Sequence, residues 1–310
     1  MTHKYSIMLT EDEVEKLHRA GELVREGLEY ALNHVKPGMS VLELCAKIEQ
    51  NITSKGGFPA FPVNVSINDV AAHYTAEPHD KLVIPEKGII KVDVGAHVDG
   101  YIADGAVSVV LGEEYAGLAL ASLEALKKVG ELMRSGVRLG YLGKVIEKTI
   151  VARGFRPIEN LSGHKIERYN LHAGKTVPNV SSLLSGKALE GEVYAVEPFA
   201  TNGVGIVVEG GESHIFRVTS MKKLKNRDLQ TLLRDLWLTY RGLPFASRWV
   251  YEKWGEDGVE RLYSLVEMKR IHHYAMLVEA GGGAVAQFED TFIVGKARAT
   301  PLIGVVELVK

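Results

Sequence analysis

Hydrophobic positions along the chain first recur with a helical period, then alternate, then recur helically again. From Glu11 to about His34 apolar residues fall three and four apart. Thr10 with Glu13 forms a capping-box pattern at the start, and Pro37-Gly38 stops the run. Ser40 and Glu43 repeat the pattern before a second helix that reaches the Gly56-Gly57 pair. Residues 58–69 (FPAFPVNVSIND) read as irregular to extended, because Pro59 and Pro62 exclude a helix, and residues 71–75 as a short strand or loop. Residues 89–110 (IIKVDVGAHVDGYIADGAVSVV) are two β-rich runs around Asp99-Gly100, a strong hairpin signal. Helical patterns follow at 113–135 and 141–153. The second half loosely repeats this logic. Residues 160–179 read as loop and strand, and 192–201 as a strand whose buried run is broken by Glu197. Helical periodicity returns at 226–241 and 255–271, so residues 219–280 read as a helical insert. Strand patterns close the chain at 284–294, with Glu289 at its centre, and at 302–309.

Composition narrows the class. The 310 residues, 46% hydrophobic, suffice for a large core, as one big domain or two fused halves. Lys+Arg of 37 against Asp+Glu of 39 gives a net charge of −2, which argues against nonspecific nucleic-acid binding. No run of about 18 apolar residues exists, and Met1-Thr2-His3-Lys4 leads into a polar helix instead of a signal peptide. A soluble cytoplasmic protein is expected. The single Cys45 excludes an intramolecular disulfide and a cysteine-based zinc cluster, and its place on an apolar helix face assigns it to the core.

The chemistry lies in the strands. With Asp99-Gly100 as the turn, Asp93 pairs opposite Ala106 and Asp104 opposite Gly95. Both carboxylates then share one face as diagonal neighbours, whereas a one-residue slip separates them. Crowded carboxylates on a buried face repel each other and are costly to desolvate, so a cation is expected between them, best a pair of divalent ions. The plain alternative has one Asp capping the turn and the other solvated at an edge. Glu197 and Glu289 also interrupt β-rich sequence, and His164 follows Gly163 in a loop. Each has an ordinary alternative: a strand end before Pro198, a turn at Glu289-Asp290, a surface loop. Taken together, four carboxylates and one imidazole suit two divalent ions of the Mn, Fe, Co or Zn kind.

The order Asp93, Asp104, His164, Glu197, Glu289 resembles the ligand pattern of the methionine aminopeptidases. The surrounding words resemble the type 2 class over essentially the whole chain: FPVNVSINDVAAHYTAEPHD, KVDVGAHVDGYIAD, SGHKIERYNLHAGKTVPN, EVYAVEPFATNG and AQFEDT. The resemblance implies an α+β pita-bread (creatinase/aminopeptidase) fold, with pseudo-twofold halves and an antiparallel sheet covered by helices. It implies a single catalytic domain, 1–310, with the 219–280 insert as a subdomain. It also implies two divalent ions per chain. Asp93 would hold one ion, Asp104 and Glu289 would bridge both, and His164 and Glu197 would complete the ligand set of the second ion. A bridging water would attack the carbonyl of an N-terminal methionine, with Glu197 shuttling its proton. His73 would hydrogen-bond near the scissile amide, and His172 would hold substrate and the tetrahedral oxygen. Phe61 and Leu171 would line the methionine pocket, with Phe58 and Phe199 also near the motifs. Without the resemblance, His73 and His172 read first as core histidines bonded to backbone.

The implied substrates are methionyl peptides and nascent proteins with a small second residue, and Met1-Thr2 makes the chain a candidate for its own activity. Transient ribosome contact, a monomer, and no nucleic-acid or membrane partner are expected. A proline-specific aminopeptidase or prolidase shares the fold, but the roughly 90 residues before Asp93 leave little room for its extra N-terminal domain. A non-catalytic RNA- or ribosome-binding adaptor conflicts with a complete ligand set. Asp290 departs from the pattern, standing where many type 2 members carry histidine. His214, within the less familiar residues 205–215, is a weaker candidate for the pocket wall. His79 and His97 are read as loop residues, His272-His273 as packing or solvent-facing, and His3, His18 and His34 as tail or helix-surface residues. Gly281-Gly282-Gly283 reads as a tight entry to the Glu289 strand, not a phosphate loop.

Overall fold

A computed structural model describes residues 8–309; the readings for Met1-Thr2 and His3 lie outside them. Helix α1 (Glu11–His34) opens with the expected capping box, the Thr10 side chain accepting from Glu13 N while the Glu13 carboxylate accepts from Thr10 N. Helix α2 (Val41–Ser54) is capped by Ser40. Short strands β1 (Phe58–Pro59), β2 (Asn64–Ile67) and β3 (Val70–Ala72) lead to the long hairpin of β4 (Gly88–Val98) and β5 (Tyr101–Leu111). Its register is the one the turn dictates: Asp93 opposite Ala106, and Asp104 opposite Gly95. Asp99 and Gly100 both have positive φ, 51° and 84°, which the two-residue hairpin needs at each central position. Helices α3 (Ala116–Leu132) and α4 (Leu139–Ala152) follow.

The second half contributes β6 (Arg156–Pro157), β7 (Ser162–Ile166), β8 (Thr176–Pro178), β9 (Val193–Val196) and β10 (Phe199–Thr201). Strand β11 (Val207–Val218) leads into α5 (Arg227–Tyr240), β12 (Phe245–Ala246) and α6 (Ser247–Glu267), the last kinked at Gly255, whose φ is 66°. The expected helical insert of 219–280 is corrected at its end. Residues 271–279 form strand β13 (Ile271–Glu279), which takes β11 as its antiparallel partner. Strands β14 (Val285–Gln287), β15 (Asp290–Val294) and β16 (Ala299–Pro301) precede a short α7 (Val305–Leu308). The expected strand at 302–309 is therefore also corrected: Gly304 sits in the left-handed region (φ 66°) and starts a helical turn.

Two sheets carry the site, β1-β4-β2 with β5 beside β4, and β16-β15-β9-β7-β8. Mutual backbone bonds between Ala106 and Glu289 (3.0 and 3.3 Å) join them, and Thr291 Oγ1 donates to Asp104 O (2.7 Å) while accepting from Asp104 N (2.8 Å). The same antiparallel arrangement in each half, covered by α1 to α4, is the pita-bread fold. One large core cluster spans both halves, whereas α5, α6 and the ladder beneath them enclose a separate cluster around Phe216, Leu233 and Leu262. No described helix is long and apolar enough to cross a membrane.

Candidate metal and active site

Strand alternation delivers the acidic groups to one place. Asp93 and Asp104 project from the same hairpin face, and His164 and Glu289 come to them from the second sheet. Donor atoms of Asp104, His164 and Glu289 all lie within 4.8 Å of one another. His164 is not in a loop but in β7, where its Nε2 stands 3.5 Å from Asp104 Oδ2. Glu197 falls in the break between β9 and β10, before Pro198, and Glu289 between β14 and β15. Both gaps open on the same pocket, lined by Asp93, Asp104, His164, Glu197 and Glu289 together with Phe61, His73, Leu171 and His172.

Gln287 is a member that the sequence reading missed. Its side-chain amide donates to Glu197 Oε2 and Glu289 Oε2 (both 3.2 Å) and reaches Asp93 Oδ2 at 3.5 Å. A signal existed, because Gln287 and Glu289 are two apart in AQFED. Even so, Asp93 Oδ1, Asp104 Oδ1 and Glu289 Oε1 are buried with no hydrogen-bond partner. Natural interiors rarely leave such oxygens alone. Burial, with mutual repulsion, holds Asp93, Glu197 and Glu289 well above the usual carboxylate range, and burial pushes Asp104 up to about 8. Burial pushes His164 down to about 4, against the pull of the Leu171 and Lys165 backbone. A neutral imidazole among crowded carboxylates lacking compensating charge is a donor set that divalent cations complete.

The remaining pocket residues take distinct places. His73 has φ of +66°, and its Nδ1 faces the Ala275 carbonyl at 3.2 Å. A carbonyl only accepts, so Nδ1 carries the proton and Nε2 is left as an acceptor. Burial keeps this ring neutral. His172 stands at the mouth, its ring edge-on to His164 at 4.5 Å, and desolvation with the neighbouring His164, His73 and Arg217 pushes it down to about 3. The apolar lining comes from Phe61, Leu171, Ala72, Ile215 and Pro244, with Tyr274 beside them.

Other readings are corrected. Phe58 is exposed and stacks on His97, and Phe199 packs in a separate cluster with Ala71, so neither lines the pocket. His97 is a buried residue of β4 whose Nδ1 accepts from Gly100 N, which supports the turn. His214 turns from the pocket toward Glu77 (3.4 Å), whereas His273 packs as expected, stacking on Phe216 at 4.4 Å. Asp290, whose departure raised the prospect of altered metal surroundings, points elsewhere: it accepts from Ile303 N and Val305 N and so anchors α7. The triple glycine wraps a structural carboxylate, Gly281 N and Gly283 N donating to Glu279.

Known proteins resemble this chain over nearly its whole length. The methionine aminopeptidase of Pyrococcus horikoshii is 44% identical over 290 residues, covering 93% of this chain and 98% of that one. Among solved structures, a thermophilic Arx1 superposes with a TM-score of 0.83 at 17% identity, covering 95% of this chain and 91% of that one. A methionine aminopeptidase from Thermotoga maritima gives 0.69 at 23%, covering 96% and 98%. These two likenesses speak for the fold alone. The model of metallopeptidase family M24 matches residues 15–296, nearly the whole of both sheets and every acidic residue of the cluster, and the chain belongs to that family.

Proposed function

We propose that this site removes the N-terminal methionine from peptides and nascent proteins whose second residue is small. Asp93, Asp104, His164, Glu197 and Glu289 would hold two divalent ions, of the Co, Mn, Fe or Zn kind. The chain's relatives are methionine aminopeptidases, its family is a metallopeptidase family, and its own activity is that of a methionyl aminopeptidase. The observation that carries the detailed reading is the juxtaposition of orphaned carboxylate oxygens with an apolar slot bearing Phe61 and Leu171. When bound, such ions would acidify a water and polarise a peptide carbonyl.

The protein's own groups supply the rest. Phe61 and Leu171 offer the thioether side chain an apolar, partly aromatic seat. His73 Nε2, fixed as an acceptor, takes a hydrogen bond from the substrate's backbone N–H, and His172 offers its ring to the carbonyl side. Glu197, a carboxylate when it holds an ion, would receive a proton and pass it to the leaving amine. The Gln287 amide holds Glu197 and Glu289 in place.

The separate apolar cluster of the insert supports treating 219–280 as a subdomain within one catalytic domain, 1–310. A monomer in the cytoplasm, meeting the ribosome transiently, fits nascent-chain substrates.

The test supplies Mn(II), Co(II), Fe(II) or Zn(II) to metal-stripped protein and follows Met-Ala-Ser, with Ala-Pro-Ser and Met-Lys-Ser as controls. Methionine release from Met-Ala-Ser alone is expected. Cleavage of Ala-Pro-Ser would move the assignment to a proline-specific enzyme. No cleavage with any ion, despite metal binding, would leave the adaptor reading.

A further inference from the structure

The ladder of β11 and β13 sorts its side chains by alternation. Phe216, Val218 and Ile271 turn into the insert's core, where His273 stacks on Phe216. Arg217 and its cross-strand partner His272 therefore stand on the opposite face, the one that gives Ile215 and Tyr274 to the active-site pocket. Tyr274 links them inward: its ring meets His272 at 4.7 Å and His73 at 5.5 Å, edge-on in both cases.

Arg217 is half-buried, and its Nε is closed off from solvent with no hydrogen-bond partner. No carboxylate among the described residues pairs with it. The titratable groups that feel its charge are His172, His272 and Tyr274, and none is an anion at neutral pH. A guanidinium keeps its charge at any ordinary pH, and a desolvated donor left unmade is costly. In a chain with 39 acidic residues, a cation without an acid, on the ladder face that gives Ile215 and Tyr274 to the pocket, is a group whose partner comes from outside.

We infer that Arg217 is a specificity-determining residue that recognises a carboxylate side chain on the substrate beyond the scissile bond, with His272 beside it. The inference rests on the methionine aminopeptidase reading of this pocket. A small second residue offers no carboxylate, so the third residue is the first that can. The enzyme then favours Met-Ala-Glu over Met-Ala-Lys sequences, reading acidic character just downstream of the small residue.

The test uses the metal-loaded enzyme and C-terminally amidated peptides Met-Ala-Zaa-Ser, with Zaa as Glu, Gln or Lys, so that no terminal carboxylate substitutes for the side chain. The expected order of kcat/KM is Glu, Gln, Lys, with a Glu-to-Lys ratio of about tenfold at low salt, the worth of one hydrogen bond to a charged group. Salt should shrink that ratio. Arg217→Gln and Arg217→Met should bring it to about one, chiefly through KM for the Glu peptide, while Arg217→Lys retains part of it. A wild-type ratio near one overturns the inference, as does a ratio that survives in both neutral variants or an equal loss on all three peptides. Failure to release methionine from the Gln peptide would instead strike the underlying assignment.

Discussion

Arg248 closes a buried ion pair with Glu49, 199 positions earlier in the chain. The same carboxylate accepts from Trp249 Nε1 and Val63 N, both at 2.9 Å, while Arg248 Nη1 donates to Thr75 Oγ1 (2.8 Å) and Ala76 O (3.0 Å). One clamp thus ties the start of α6 to α2 and to the segment just after His73. Substituting Arg248→Met leaves the Glu49 carboxylate buried without its cation, at a cost of about 3–5 kcal/mol. The double variant Glu49→Leu/Arg248→Met should recover part of that loss, since only the Val63 and Trp249 donors then lack a partner. Urea denaturation of the three proteins measures both; a single variant within about 1 kcal/mol of wild type would mean the clamp is idle.

The carboxylate cluster makes stability depend on metal and on pH together. Because burial and mutual repulsion raise these pKa values, the folded metal-free protein keeps protons that the unfolded chain releases. Its stability is therefore fully present below the unfolded carboxylate pKa of about 4 and declines as pH rises toward about 8, where Asp104 ionises. Added Mn(II) or Co(II) binds the charged form, so the gain in Tm on adding metal should grow from pH 5 to pH 8. Thermal melts of chelator-treated protein across that range test this. A metal-free Tm that climbs over the same interval would contradict the account.

His73 occupies a left-handed conformation that costs a non-glycine residue of order 1 kcal/mol, and its Nδ1–H bond to Ala275 O fixes the ring. His73→Ala removes the Nε2 acceptor and should lower kcat/KM by about 100-fold with metal stoichiometry unchanged. His73→Asn suits the backbone better and should melt above the Ala variant, yet be no more active. An Asn variant that regains activity would assign His73 to backbone geometry alone.

How much of this was legible depended on how local the determinant was. Asp99-Gly100 fixed the register of β4 on β5, because a two-residue turn leaves no freedom, and so the shared face of Asp93 and Asp104 could be read directly. His97 could have been read the same way, two residues beyond Gly95 on a strand, but its place near the turn suggested a loop. Gln287 carries no charge, so within the β14 sequence only its spacing from Glu289 marks it as a partner of the carboxylates. Tyr274, which lines the pocket, and Arg217 on the same ladder face were out of reach, because the two strands of that ladder are separated by the whole of α5 and α6. At the C-terminus, an apolar run outweighed Gly304, which in fact starts a helical turn held by Asp290.

Gly95 and Phe61 offer the sharpest test of the methionine seat. Gly95 lies opposite Asp104 in the hairpin, and a Cβ built there would run into the Phe61 ring. Ala60 N bonds to Gly95 O at 2.9 Å, so the segment carrying Phe61 is tied down and its ring, not its backbone, must yield. Overpacking of this kind costs about 1–3 kcal/mol. Gly95→Ala should therefore push the ring into the pocket or out of it, raising KM for Met-Ala-Ser about tenfold or more, with a smaller change in kcat. Gly95→Ala/Phe61→Leu gives the new methyl group room and should regain stability and part of the affinity. If the single variant binds substrate as wild type does, the ring does not form the wall on which the methionine side chain rests.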